Sequence, residues 1–490
     1  MKNKIYETQH RDYKTIVSKL KLLHESYNGG YEYRNEHNLV QYPNENSEKY
    51  AKRLERSIPV NFMGPLVDEI VSSIFSKQIR RDSVLKDKDG VISRFVKNAS
   101  NDDSLNDVMT EIATIATYSN IGILIEGPTN EYLNSINITS QSMEKSIKSK
   151  LRLYPQVKLF SADRILNWSY SDSLNWVLLD NSYIDDTDPH DIKNVKIFAL
   201  WTKTTLTTYT FKNESLKPED QTTNHNLGIV PFMIFSQKNG NKKNSIYEDI
   251  ALQQRGIYNW YSLIDENFFS VIFPVILVEE SEGISFDAEE IEQAGKRAKP
   301  FSQIDNLFYY DHGCKTPQLL KTDFVNVAMM LEHIDRVTKE IYRKVGKYLD
   351  SNNVYAQSGT AKEIDNEQRK SNLQKYASQL EDVENWILSV YAKYEGIPFT
   401  ESDYSVYPKD FDLKAIKDRI ADALDLKTLF SGKSITAVRT ILFDIMDKAY
   451  GNIMTVDEKN KIQKELEALT ESSFDMPIES GEITADPKNQ

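Results

Sequence analysis

Cysteine is almost absent: Cys314 is the only one in 490 residues. No intrachain disulfide can form, and a lone thiol in a chain of this size fits a reducing compartment. Long hydrophobic runs are missing as well. No stretch approaches the roughly 18 uninterrupted apolar residues of a membrane span. The opening MKNKIYETQHRDYK lacks the apolar core of a signal peptide. There is no excess of positive charge either. Sixty Lys and Arg face 73 Asp and Glu, a net charge of -13. That argues against a free-standing nucleic-acid binder with a basic face, but it leaves room for a protein that lets a duplex pass without gripping it. Tryptophan is scarce (5) and tyrosine abundant (27). Tyrosine suits wet, half-buried subunit contacts, and AT-rich codon usage explains the count equally well. What remains is an ordinary soluble composition, 40% hydrophobic and 27% charged, with length for two to four domains.

Catalytic motifs are also missing. FSGKS at 430–434 offers Gly432-Lys433-Ser434, but a phosphate loop needs glycine where Lys427 stands, and a preceding strand where a helix is expected. Gly432 reads instead as the cap of one helix and Ser434 as the start of the next. His312 and Cys314 could each ligate zinc, yet no second cysteine completes a tetrahedral set, so they read as a structural turn. The pairs Asp102-Asp103 and Glu289-Glu290 read as solvated surface, because adjacent acids point apart and a metal-dependent nuclease needs acids converging from different elements. Neither G-x-S-x-G nor H-E-x-x-H occurs. No cofactor and no metal is expected, and the chain reads as a non-enzyme.

The order of elements carries more information. Residues 1–80 read as helical: KTIVSKLKLLHESYNGG stops at Gly29-Gly30, and NFMGPLVDEIVSSIFSKQIRR places Ile70, Ile74 and Phe75 with Leu66 and Val67. Residues 100–240 are mixed. SLNDVMTEIATIATYSN is a helix, IGILIEGP a buried strand, and LRLYPQVKLFSADRILNWSY a strand, a turn and a strand. VKIFALWTKTTLTTYTF alternates as antiparallel strands do, and NHNLGIVPFMIF closes the region. SIYEDIALQQRGIYNWYSLIDENFF then opens with a capping box, Ser245 with Glu248. Ile246, Ile250, Ile257, Tyr261, Ile264 and Phe268 form its stripe, and Pro274 limits it. Short strand candidates (VILVEE, LFYYD) flank one charged helix, DAEEIEQAGKRA.

In TDFVNVAMMLEHIDRVTKEIYRKVGKYL, Val327, Leu331, Ile334, Ile341 and Val345 share one helical face. Arg336, Lys339, Arg343 and Lys347 share another, with Glu340 placed to pair with some of them. His333 falls between the two faces as a solvated or interface residue. The polar break GKYLDSNNVYAQSGTAKEID follows. Thr360 and Glu363 suggest a second capping box, opening a helix of about 35 residues, roughly 50 Å long, that ends at Gly396 before Pro398. Leu373, Leu380, Ile387 and Tyr391 form its stripe, flanked by Tyr376, Val383 and Tyr394. GIPFTESDYSVYPKDF reads as extended, and three short helices follow. The acidic last twenty residues read as disordered.

This order resembles that of the portal proteins of tailed bacteriophages over roughly residues 15–465. The stretches that carry it are YNGGYEY, RSIPVNFMGPLVDEIVSSIFSKQIRR, YSNIGILIEGP, ADRILNWSY, NLGIVPFMIF and SGTAKEIDNEQRKSNLQKYASQLEDVENWILSVYAKYEG. Each is of low specificity; the ordered set is more telling. The resemblance implies an α+β portal-protein fold with a mixed α/β wing, a helical stem, a small α/β clip, a long helix and a helical crown. It divides the chain into the N-terminal wing (1–244), first stem helix (245–273), clip (274–321) and second stem helix (322–348). The tunnel loop (349–359), the long helix with the wing return (360–412), the crown (413–469) and the acidic tail (470–490) complete it.

The implied function is a ring, expected to be dodecameric, at one capsid vertex, through which double-stranded DNA is packaged and ejected. The implied partners are the large terminase, head–tail adaptor proteins, the major capsid protein and a scaffold; no membrane is involved. The setting is the virion, with assembly in the host cytoplasm. The stripe Arg336, Lys339, Arg343 and Lys347 would face the DNA channel as cationic belts once repeated around the ring. Asp350, Ser351, Asn352, Asn353, Val354, Tyr355, Gln357, Ser358 and Gly359 would form the tunnel loop, compliant and mostly polar. The competing readings are another head–tail connector or vertex component and, more remotely, a metal-dependent nuclease.

Overall fold

The computed structural model describes residues 4–81, 91–100, 103–127, 154–211 except 187, 189 and 191, and 218–237 except 226. It also describes 245–272, 276–279, 307–310, 324–346, 359–409 except 401–403, then 411, 425, 434–450 and 456–468.

The N-terminal part is helical, as its periodicity predicts: α1 (Tyr13–Asn28), α2 (Gly30–Tyr33), α3 (Ser47–Arg56), α4 (Met63–Phe75), α5 (Val91–Lys97) and α6 (Leu105–Tyr118). Gly29 ends α1 with φ 64°, donating its N–H to Glu25 O at 2.8 Å. A side chain there would collide with Asn61 as well as strain the backbone. The helix in NFMGPLVDEIVSSIFSKQIRR stops at Phe75; beyond it Arg80 pairs in a bridge with Val406. A capping box that the sequence reading passed over starts α6, with Ser104 and Asp107 exchanging hydrogen bonds.

Two antiparallel sheets follow. The smaller joins β1 (Ile121–Glu126), β2 (Gln156–Ser161) and β9 (Phe232–Phe235) in the order β2-β1-β9, with buried β1 at its centre. NHNLGIVPFMIF therefore does close this region, by returning to β1. The larger comprises β3 (Ile165–Tyr170), β4 (Leu174–Asp180), β6 (Lys193–Thr202), β7 (Thr205–Phe211) and β8 (Glu219–Asn224), with β5 (Tyr183–Asp185) paired to β6. Phe160, Trp168, Val177, Trp201 and Phe232 pack the two sheets together.

Three long helices complete the body: α7 (Ile246–Ile272), α8 (Phe324–Lys344) and α9 (Gly359–Glu395). Between α7 and α8, β10 (Ile276–Glu279) and β11 (Leu307–Tyr310) pair in parallel, Ile276 opposite Leu307. A parallel pair cannot be joined by a tight hairpin. Helices α10 (Ile435–Tyr450) and α11 (Val456–Ala468) come last. Ser434 starts α10, its Oγ accepting from Ala437 N, as read from FSGKS. The charged helix proposed at DAEEIEQAGKRA, the first of the three short C-terminal helices apart from Asp425, and Asp102, His312, Cys314, Glu289, Glu290 and the acidic tail lie outside the described residues.

One continuous apolar core joins the N-terminal helices and β1 to all three long helices. The expected stripe of α9 is buried: Leu373, Leu380, Ile387 and Tyr391, with Tyr376 and Val383. At its end, Gly396 (φ 67°) donates to Lys393 O and Ile397 to Ala392 O, the two bonds of a Schellman stop. Three details differ from expectation. Phe268 is exposed, and Ile264 is the last buried residue among those of α7 whose side chains are described. Ser245 Oγ accepts from Tyr247 N, but the Glu248 carboxylate turns away to Lys19 (2.6 Å) and closes no box. Helix α8 ends at Lys344, four residues early, where Gly346 takes φ 78°.

Candidate functional site: a helix pair and its joint

Helices α7 and α8 lie antiparallel. Asp249 meets Lys344 at 3.5 Å, and eleven residues along each helix Trp260 meets His333 edge-on at 4.5 Å. Ile250, Ile257 and Ile264 are buried on α7, and Val327, Ile334, Val337 and Ile341 on α8. Val337 takes the place expected of Leu331, which is exposed. At 100° per residue Leu331 lies about 80° from the centre of the buried face and Val337 about 40°.

Arg336, Lys339 and Arg343 share the opposite face, about 140–160° from that centre. The structure thus brings three of the four stripe residues together; Lys347 lies outside the described residues. The face is less purely cationic than expected, since exposed Glu332 and Asp335 lie on or beside it. Lys339 pairs with Asp335 at 2.5 Å rather than with Glu340. Arg336 Nη2 meets His333 Nδ1 at 3.0 Å, which places His333 between Trp260 and the charged face. Arg343 is exposed and has no ion-pair partner among the described residues. On α7, burial raises the Asp265 carboxyl above its usual range.

The polar break begins at the Gly346 turn. A side chain at Gly346 would come within 3.8 Å of Arg369 Cβ, so the chain leaving α8 passes against a point ten residues inside α9. The first ten residues of α9 therefore extend about 15 Å before that contact. Gly359, expected as the last loop residue, is the first residue of α9. The other loop candidates, Asp350, Ser351, Asn352, Asn353, Val354, Tyr355, Gln357 and Ser358, lie outside the described residues, as does any capping by Thr360 and Glu363 side chains. Two ion pairs fasten the joint: Lys344–Asp249 and Arg369–Glu69, the latter at 2.7 Å.

A buried polar dock on α7 escaped the sequence reading. Gln254, fully buried, accepts from the N–H groups of Phe62 and Met63 and donates to Ser26 O. It supplies the cap that α4 lacks and ties it to the end of α1. Asn259 accepts from Val40 N and donates to Asn38 O. Ser262 receives Arg53 Nη1, while Arg53 Nε and Nη2 hold the two oxygens of Glu45 at 2.7 Å. That hydrogen-bonded pairing keeps the Glu45 carboxyl below its ordinary value. Tyr258 shares a hydrogen bond with Ser57. The available signal was spacing: Gln254, Tyr258, Asn259 and Ser262 recur on one helical face. Helix α9 has a similar anchor. Arg81 grips buried Glu384 through Nε and Nη2 (2.6 and 2.8 Å), and the Tyr407 hydroxyl donates to the same carboxylate.

Among the described residues no group of His, Cys, Asp or Glu converges as a metal site, and no helix is long and apolar enough to cross a membrane. The arrangement is that of a scaffold: a braced pair of struts with a charged outer face. The family model described as phage portal protein, SPP1 Gp6-like, matches residues 9–344, well over half the chain. The chain belongs to that portal protein family. The match runs from the N-terminal helices to the last residue of α8. A search among curated proteins finds no match. Family membership makes the chain a virion component, a head–tail connector taking part in genome packaging, and a structural protein by family.

Proposed function

We propose that the chain forms a ring, twelve copies in the virion, at one capsid vertex, through which double-stranded DNA is packaged and later ejected. In this reading residues 1–244 build the wing, α7 and α8 the stem, and 274–321 the clip, on which the large terminase and then the adaptor proteins dock. Residues 349–359 line the narrowest part of the bore, α9 returns into the wing, and 413–469 form the crown. The capsid protein surrounds the wing, and a scaffold protein guides assembly.

The observation that carries the reading is the antiparallel α7–α8 pair. One face of α8 is packed into the body, and its opposite face presents Arg336, Lys339 and Arg343. Copied around an axis, these become belts of separated cations in an otherwise acidic ring. Separated cations hold phosphate weakly, and net negative charge limits adhesion, which suits a conduit through which a duplex slides. Replacing Lys339, Arg343 and Lys347 with glutamine is expected to leave ring assembly intact and to let packaged DNA leak. Unchanged retention of DNA in intact particles would remove the belts from the account.

A further inference from the structure

Where the stem pair meets α4 and α9 there is a cavity of about 300 Å³. Its lining combines Leu66, Ile70, Leu373 and Tyr376 with an unusual concentration of cations: Lys344 from the last turn of α8, and Arg369 and Lys375 from α9. Glu69 is the only acid among the described lining residues. Lys344 and Arg369 are about three-quarters buried, with side-chain exposures of 22% and 24%, so their charge is less screened than that of surface lysines. Both are held by carboxylates, Asp249 and Glu69. Lys375 is exposed at the mouth and has no ion-pair partner among the described residues. Asn372 adds a neutral amide donor to the same wall.

We propose that this cavity is a binding site for a phosphate-type anion, held by Lys375, Lys344 and Arg369 with Asn372. Asp249 is half exposed and its contact with Lys344 is long, 3.5 Å, so the pair contributes little and Lys344 can leave Asp249 for an entering phosphate at small cost. The fork of Arg369 can hold Glu69 with one edge and phosphate with another. The site differs from the α8 stripe. It lies at the joint, on both sides of the polar break, and it uses α9, which lies beyond the residues matched to the family. Under the proposed function the anion is a backbone phosphate of the duplex beside the constriction; the same chemistry also admits free phosphate.

The test uses the assembled full-length protein at fixed ionic strength and titrates inorganic phosphate against chloride by calorimetry. Saturable binding is expected, weakened about tenfold or more by Lys375→Gln together with Lys344→Gln. Lys375→Gln alone, at an exposed position, is expected to weaken it in the same direction without touching the fold. No saturable binding beyond chloride, or binding indifferent to both variants, overturns the proposal. Displacement of bound phosphate by a short duplex assigns the site to DNA; binding that the duplex does not displace supports a site for the free anion. Ring formation is read separately by negative-stain microscopy. A failure to form rings counts against the proposed function, and the phosphate titration can still be read on whatever species forms.

Discussion

Helices α7 and α8 lie side by side, but they are fastened differently. One side of α7 carries a buried polar dock, in which Gln254, Tyr258, Asn259 and Ser262 reach backbone and side chains of residues 26–63, with Arg53 and Glu45 as its charged centre. Helix α8 is held by an apolar face, by an ion pair at Lys344 and by the edge contacts of His333 with Trp260 and Tyr342 with Phe62. Polar docks are specific in geometry and costly to break, because each removed partner strands a buried group. Apolar faces permit small sliding and rotation at lower cost. The contrast suggests a division of labour: α7 fixes the helix pair to the body, while α8, which leads into the polar break, is left more freedom.

Four variants test this division, in order of expected effect. Arg53→Ala strands Glu45 and removes the bond to Ser262, and should cost about 3–5 kcal/mol in denaturant unfolding. A loss below 1 kcal/mol would mean the dock is not what holds α7. Gln254→Leu leaves the N–H groups of Phe62 and Met63 at the start of α4 unsatisfied, the latter buried, and should cost about 1–3 kcal/mol. The dock should also be acid-labile. Glu45 is held below its ordinary 4.5 by Arg53, so its contribution is complete above that value and fades as pH falls through the lower folded-state value. Glu45→Gln should start less stable and show a flatter acid branch; parallel branches would contradict the assignment. Smallest of all, Lys344→Gln should change stability by less than about 1 kcal/mol. A larger loss would show that α8 is as firmly docked as its neighbour.

The apolar side of this account was legible in the sequence, because burial repeats at 3.6 residues. Most of the buried stripes of α7, α8 and α9 follow from helical periodicity, and the strand β1 from a continuous apolar run closed by Gly127-Pro128. The errors have physical causes. Leu331 was placed on the buried face because spacing from Val327 and Val345 leaves the centre of the stripe uncertain by about 40–60°; only the partner helix decides between Leu331 and Val337. The second stem helix was carried to residue 348 although Gly346 offered a left-handed stop. Glu248 fitted a capping box until Lys19, more than two hundred residues away, drew it off. The dock on α7 was unreadable residue by residue, since a buried glutamine and an exposed one look alike until their partners are known. The parallel register of β10 and β11 is likewise set by tertiary structure.

The central claim is radial: copies of the α7–α8 pair surround an axis, with the polar break nearest to it. Single-particle reconstruction of the assembled full-length protein tests this most directly. The account predicts a closed ring with a bore wide enough for a double helix, residues 349–359 at its narrowest point and Arg343 facing the lumen. A ring with those residues on its outer perimeter, or an assembly with no central bore, would contradict it.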